Sequence, residues 1–504
     1  MKRSLRYGAL LAGALTVLAA DIGMAFAEGD LTVGRREDSN NLDPVKGTEN
    51  VNLWVFANMY DVLVRVDRGG TKLEPGLAES WSISDDLLTY TFKLRDAKFS
   101  DGSPITAEDA AWNLLRVRDL PESAWQSTYS VIKEAKATDD KTLVVTLNQP
   151  TEPFLASLAM PGTAIAQKKS VEANENVFNE APVVSGAYTL KEWRRGEKLV
   201  LEKNPHYWEA DRVSLDTITW LSVPDDNARM LAVQAGEMDC AIFVPFSRIE
   251  ELKKDPNLQV LLDPSTREDH ILINHEHGAL GKKEVRQAID MAIDEQAIVD
   301  TVTFGAGEIA NSYVPNSALY YYAENKRYPY DPEGAKKMLE AAGAADLSIN
   351  YVVQAGDEVD EQTAVLVQQQ LAKAGVTVDI TKVDASQSWT TMVEGNYDMI
   401  GAYWTNDTID PDQKTTFTLG HDSNLNFLTR YKNESVKELV DKARVEVDPA
   451  KRQQMYYDLQ KMAKEDVNFI DLYYSPYRNV CTTKVENFFQ NPLGRFFMED
   501  TKKM

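Results

Sequence analysis

The sequence predicts an α/β protein of more than one domain, and three observations carry that prediction. The chain has 504 residues, beyond the roughly 250–300 at which a single core stops growing. A strand over 348–353, a helix over 362–373 stopped at Gly375 and a strand over 376–383 follow in order, the spacing of a crossover between parallel strands. Residues 78–109 join an alternating strand to a turn and a capped helix. Hydrophobic content of 43% and aromatic content of 9% are those of a globular chain and exclude disorder.

The N-terminus reads as a secretory signal peptide over residues 1–27. Lys2, Arg3 and Arg6 form the basic start, 8–20 is the apolar run, and Ala25-Phe26-Ala27 is the small-x-small cleavage site. The run is too short for a membrane span and is ended by Asp21. No cysteine lies near the cleavage site, so a periplasmic protein without a lipid anchor is expected, in a Gram-negative cell. The formal net charge is −24. That argues against nucleic acid as a partner and agrees with a solvated acidic surface and a cationic or zwitterionic ligand. Two cysteines, Cys240 and Cys481, sit in different strand-like runs. A disulfide and two buried thiols are both open.

The elements follow in order. A strand over 30–35 and a turn at 40–44 lead into a helix over 50–61. In 78–109, Thr89, Thr91 and Lys93 share one face of a strand, and Tyr90, Phe92 and Leu94 share the other. Asp101-Gly102 turns the chain, and Thr106 caps a helix whose first turn holds Glu108 and Asp109. A strand over 141–149 stops at Pro150, and a short helix begins at Pro153. Gly186 turns into a strand over 188–193, and a helix over 225–235 is stopped by Gly236. Val285, Ala288, Ile289, Ala292, Ile293 and Ile298 predict one amphipathic helix over 284–299. A strand over 399–404, a helix over 450–466 and strands over 470–474 and 478–483 complete the chain.

Several of these texts resemble the family 5 periplasmic solute-binding proteins, the oligopeptide, dipeptide, opine and nickel receptors of ABC importers. They are Ala78–Asp109; Tyr60-Asp61-Val62-Leu63 with Leu73 to Trp81; Ser185-Gly186-Ala187-Tyr188; Gly236-Glu237-Met238-Asp239; and Val285-Arg286-Gln287-Ala288. Their order is that of the family from about residue 30 to 490. The resemblance implies a two-lobed periplasmic-binding-protein fold of the cluster C type with an extra domain in the N-terminal half. The expected division is residues 28–73, 186–269 and 481–504 for the first lobe, 74–185 for the extra domain, and 270–480 for the second lobe. The chain is expected to cross between lobes near 270 and near 480.

The resemblance also implies the function: capture of a peptide or peptide-like, amine-bearing solute between two lobes, and delivery to an ABC permease with its ATPase. An opine, an oligosaccharide or a nickel complex are the alternative solutes, and a hydrolase is the alternative of another class. The chain is expected to act as a monomer, without catalysis and without a cofactor. No Gly-x-Ser-x-Gly, HExxH or phosphate loop occurs. Gly305 to Ala310 matches a dinucleotide fingerprint in letters only, since a helix rather than a strand precedes it.

Site residues are suggested by Trp404-Thr405-Asn406-Asp407-Thr408-Ile409-Asp410-Pro411-Asp412, which resembles the family's Trp-x-x-Asp-x-x-Asp-Pro-Asp. In the peptide receptors the first of those aspartates pairs with the ligand's α-amino group, and the matching residue is Asp407. Thr405 and Asn406 flank it. Trp404 and Trp389 are candidate aromatic walls, with Glu49 and Asn50 across the cleft. Where dipeptide receptors carry a carboxylate-binding arginine, this chain reads Val353-Gln354-Ala355-Gly356-Asp357-Glu358-Val359-Asp360-Glu361. That departure counts against a strict dipeptide ligand. His270, His275 and His277 with Glu276 resemble a metal cluster, since on a strand 275 and 277 point the same way and His-x-His can chelate. Nothing fixes a third ligand, the run lies at a lobe crossover where exposed polar residues are common, and no metal site is expected from them.

Overall fold

The computed structural model describes residues 29–174, 176–420 and 428–504. The expected signal peptide at 1–27 lies outside the described residues. Two large sheets carry the fold. The first has seven strands in the order Leu258–Asp263, Tyr477–Thr482, Cys240–Ile242, Asp30–Arg35, Thr217–Ser222, Lys198–Lys203, Tyr188–Arg194. The second has six, in the order Glu308–Ile309, Phe469–Tyr474, Glu268–Ile273, Met399–Trp404, Ser348–Gln354, Thr377–Val383. A separate four-stranded antiparallel sheet is inserted early: Ala78–Ile83, Thr89–Leu94, Thr142–Leu147 and Ile132–Asp139.

The chain passes from the first large sheet to the second through residues 264–267 and returns through 475–476. The two passages touch: Ser265 Oγ donates to the Ser475 carbonyl, and Ser475 Oγ donates to Asp269 at 2.9 Å. The sequence placed His270 at an exposed crossover, and the structure corrects this. Glu268–Ile273 is a central strand buried at every position. Its charges are met from inside: Glu268 accepts from His270 at 2.7 Å and from Lys414 at 3.0 Å.

Local sequence explains the elements that were legible. On Thr89–Leu94 the Tyr90, Phe92 and Leu94 face is buried, as alternation demands. Thr106 accepts from the Asp109 amide while Asp109 reaches back to the Thr106 amide, a reciprocal cap. Gly186 is required by close approach: a Cβ there would stand 2.5 Å from the Met59 carbonyl carbon and 2.6 Å from the Tyr60 nitrogen. The helix predicted over 284–299 is two helices, Lys283–Met291 and Glu295–Val302. Asp294 breaks it by capping the second, accepting from Ala297 at 3.0 Å. The acidic run after Gln354 is also helix: Glu358–Lys373 begins there, capped by Asp357. Glu358, Asp360 and Glu361 occupy its first turn, where the helix dipole favours negative charge.

Cys240 and Cys481 are paired across adjacent antiparallel strands and joined by a disulfide with an S–S distance of 2.06 Å. This resolves the choice that composition left open.

Candidate functional site

A cavity of about 560 Å³ opens between the two large sheets. From the first sheet's side it is lined by Glu49, Asn50 and Trp54 at the start of the helix Asn50–Met59, and by Phe243 and Phe246. From the second it is lined by Gln354, Asp357, Glu358, Trp389 and Tyr403. Arg267, at the end of the first passage, and Arg478, just past the second, close its wall. Arg36 and Gln354 stand at the carboxyl ends of Asp30–Arg35 and Ser348–Gln354, strands with parallel neighbours in their sheets. Such strand ends are where α/β sheets receive ligands.

The cavity presents both signs of charge and aromatic faces. Arg36 pairs with Asp226 at 2.8 Å. Arg267 pairs with Asp269 at 2.6 Å, and its guanidinium lies 3.8 Å from the Tyr403 ring centroid. Trp389, on the helix Ala385–Glu394, is 52% exposed and offers its ring to the cavity. Glu49 accepts from Asn52 at 2.9 Å. These groups suit a polar, zwitterionic solute with apolar parts.

Beneath this wall lies Asp360, which accepts from the Gln354 amide at 2.7 Å. Gly401 makes room for it, since a Cβ there would meet Asp360 Oδ1 at 2.0 Å. Burial first, and then the nearby carboxylates of Asp357, Glu361 and Asp269, push its carboxyl up to about 7. A carboxyl raised above its unfolded value of about 3.9 stabilises the fold when protonated. That stability is present at low pH and is lost as pH rises from about 4 through about 7. Asp360→Asn removes the charge and keeps an acceptor for Gln354. It is expected to leave the unfolding midpoint near pH 3.5 almost unchanged and to stabilise the protein at pH 8 by about 2–4 kcal/mol. Chemical denaturation at the two pH values checks this, and equal effects at both would refute it.

Of the residues singled out from sequence, Glu49, Asn50 and Trp389 line the cavity. Trp404, Thr405, Asn406 and Asp407 come directly after cavity-lining Tyr403 but do not line the cavity themselves. They turn toward the C-terminal segment. The Asn406 amide donates to Thr266 Oγ1 at 3.0 Å, and Arg495 donates to the Asp407 carbonyl at 2.5 Å. The Asp407 carboxylate accepts from Gln413 at 2.8 Å. Burial raises its pKa, against the opposing pull of Arg495 and Gln413. Trp404 packs edge-on to Phe417 at 5.4 Å between centroids. Three buried polar atoms around this turn, Trp404 Nε1, Asn406 Oδ1 and Arg495 Nε, have no hydrogen-bond partner among the described residues. Thr408, Asp412 and Gln413 line a second cavity of about 420 Å³, against Pro153, Phe154 and Met160.

The histidines scatter to separate partners. His270 bonds Glu268, His275 reaches the Asn468 carbonyl at 3.0 Å, and His277 meets Asp398 at 3.0 Å. Burial and Arg286 push His275 down to about 3. His275 and His277 lie in a turn rather than on a strand, so the alternation that would align them is absent. Sequence reasoning missed Arg267, Arg478 and Phe243. Each comes from a short connection or strand end, and no periodicity marks such positions.

Two sheets joined by two short passages around a cleft define a two-lobed solute-binding protein. The model of the bacterial extracellular solute-binding proteins, family 5 (Middle), matches residues 72–426, and the chain belongs to that family. It is 28% identical over 514 residues to a probable D,D-dipeptide-binding periplasmic protein, DdpA, of Escherichia coli, covering 98% of each chain. It is 29% identical over 507 residues to a glutathione-binding protein, GsiB, of Escherichia coli, again covering 98% of each. The structure of a periplasmic binding protein, DppA, from Helicobacter pylori in complex with the peptide STSA superposes with a TM-score of 0.86. There the identity is 26%, over 94% of this chain and 98% of the other. The fold is the two-lobed periplasmic-binding-protein fold.

Proposed function

We propose that this chain is the periplasmic substrate-binding component of an ABC importer, and that it closes its lobes on a peptide or peptide-like, amine-bearing solute. The cavity of about 560 Å³ between lobes linked by two short passages carries the reading, together with full-length relatives named for dipeptide and glutathione binding. The secreted chain, freed of residues 1–27 and without a lipid anchor, meets the solute as a monomer. Glu49, Asn50 and Trp389 contact it from the walls. For the solute's ammonium we assign Asp407, with Trp404, Thr405 and Asn406 beside it, on the resemblance of this turn to the family's. The turn lies behind the cavity wall at Tyr403 rather than on it. The Asp407 carboxylate has one side-chain donor, Gln413, and spare accepting capacity.

The mechanism is one of populations. A solute touching both lobes binds the closed form better than the open one and shifts the equilibrium by that difference. The closed form docks on the permease and its ATPase. The chain itself does no bond chemistry. Mass spectrometry of the solute that co-purifies, followed by calorimetry with peptides, is expected to find an amine-bearing ligand. Asp407→Asn is expected to weaken that ligand by roughly a hundredfold while the unfolding midpoint stays close to that of the parent. Unchanged affinity would remove Asp407 from the site.

A further inference from the structure

A solute-binding cleft must meet the polar groups of its ligand, and the role assigned here to Arg478 rests on that reading of the chain. Arg478 lies on the strand Tyr477–Thr482, just past the second passage. It is 8% exposed and lines the cavity. Its Nε donates to the Val244 carbonyl at 2.9 Å and its Nη1 to the Pro476 carbonyl at 3.3 Å. The guanidinium lies 3.6 Å from the Phe246 ring centroid. These contacts fix the plane of the group, and none of them carries negative charge.

The other cleft arginines are already compensated. Arg36 has Asp226, and Arg267 has Asp269. Asp269 acts on Arg478 only at longer range, and Arg267 beside it repels. Asp357 faces the cavity from the second lobe, but its carboxylate caps its own helix, accepting from the Val359 and Asp360 amides at 3.1 and 3.2 Å. Among the described residues no carboxylate reaches ion-pair distance of Arg478, and its Nη2 makes no hydrogen bond. A guanidinium withdrawn from water without a counter-ion is costly, and one whose free edge faces a ligand cavity is placed for a planar anion.

We propose that Arg478 receives a free carboxylate of the solute, across the Nη1 and Nη2 edge, so that the cleft selects amine-bearing solutes that also carry an acid. From the second lobe the facing wall offers Gln354, Asp357 and Glu358 and, among the described residues, no cation, so the strand just past the second passage supplies it.

Calorimetry with the tetrapeptide Ser-Thr-Ser-Ala and with its C-terminal amide, against the parent protein, Arg478→Gln and Arg478→Lys, tests this. The parent is expected to bind the free acid at least about tenfold tighter than the amide. Arg478→Gln is expected to erase that preference, and Arg478→Lys to keep part of it. Thermal midpoints of all three proteins report whether the fold is intact. Equal binding of acid and amide by the parent overturns the assignment and leaves the solute-binding reading standing. So does an equal loss of both in Arg478→Gln. Binding of neither form by the parent overturns the peptide reading, and this assignment with it.

Discussion

Lys464→Met is expected to cost about 3–5 kcal/mol of stability at pH 7.5. Lys464 lies near the end of the helix Pro449–Asp466 and is 4% exposed. Its ammonium stands 3.2 Å from Asp290, on the helix Lys283–Met291, and 3.4 Å from Asp471, on the strand Phe469–Tyr474. One cation therefore ties three elements of the second lobe. Removing it leaves two carboxylates in a site with almost no water. Burial already pushes Asp471 up to about 6 with the lysine present. Glu295, next to Asp290, is pushed up to about 7 by burial and by that carboxylate.

These groups set the sign of the pH dependence. Without Lys464 the folded-state pKa of Asp471 rises further above its unfolded value. Protonation then rescues the fold, so the deficit is smallest near pH 5 and grows as pH rises through about 6 and beyond. Adding Asp471→Asn to Lys464→Met is expected to recover clearly more stability at pH 7.5 than at pH 5, where the buried carboxyl is already protonated. Urea denaturation of the single and double variants at the two pH values measures this. An equal deficit at both would show that lost packing, rather than stranded charge, is the cause.

The same network marks how far the sequence could be read. Helix caps and strand alternation are local, and Thr106 with Asp109, or Tyr90 with Phe92 and Leu94, behave as their spacing says. Partners far apart in the chain are not local. Nothing near Glu268 in the chain marks it as buried, because its partner Lys414 lies 146 positions later. The strand Glu268–Ile273 therefore reads from sequence as an exposed crossover, because a charged residue in a core is legible only with its counter-ion in view. Resemblance supplied the architecture, since family text survives at Gly186, where two backbones nearly touch and no side chain fits. It supplied less of the cleft. Arg267, Phe243 and Arg478 reach the cavity from three separate connections and strand ends, and no spacing rule gathers them.

Replacing both Cys240 and Cys481 by alanine is expected to cost about 3–5 kcal/mol, with solute affinity unchanged. The two cysteines stand opposite each other in the first sheet, on Cys240–Ile242 and Tyr477–Thr482, and are 241 positions apart. The chain between them includes both passages and every strand of the second sheet. The bridge therefore closes the whole second lobe into one loop. A loop of that length has much freedom to lose when unfolded, and the constraint grows with the logarithm of its length. Neither residue is exposed and neither lines the cleft, so the effect belongs to the unfolded chain rather than to the site. Kinetics separate this from a packing defect. Reductant reaches a fully buried bridge only when the sheet opens, so the native protein should resist dithiothreitol until denaturant is added. Denaturation of the parent in reductant should then converge on the midpoint of the double-alanine variant. A parent midpoint indifferent to reductant, or a variant as stable as the parent, would show that the bridge contributes nothing to the fold.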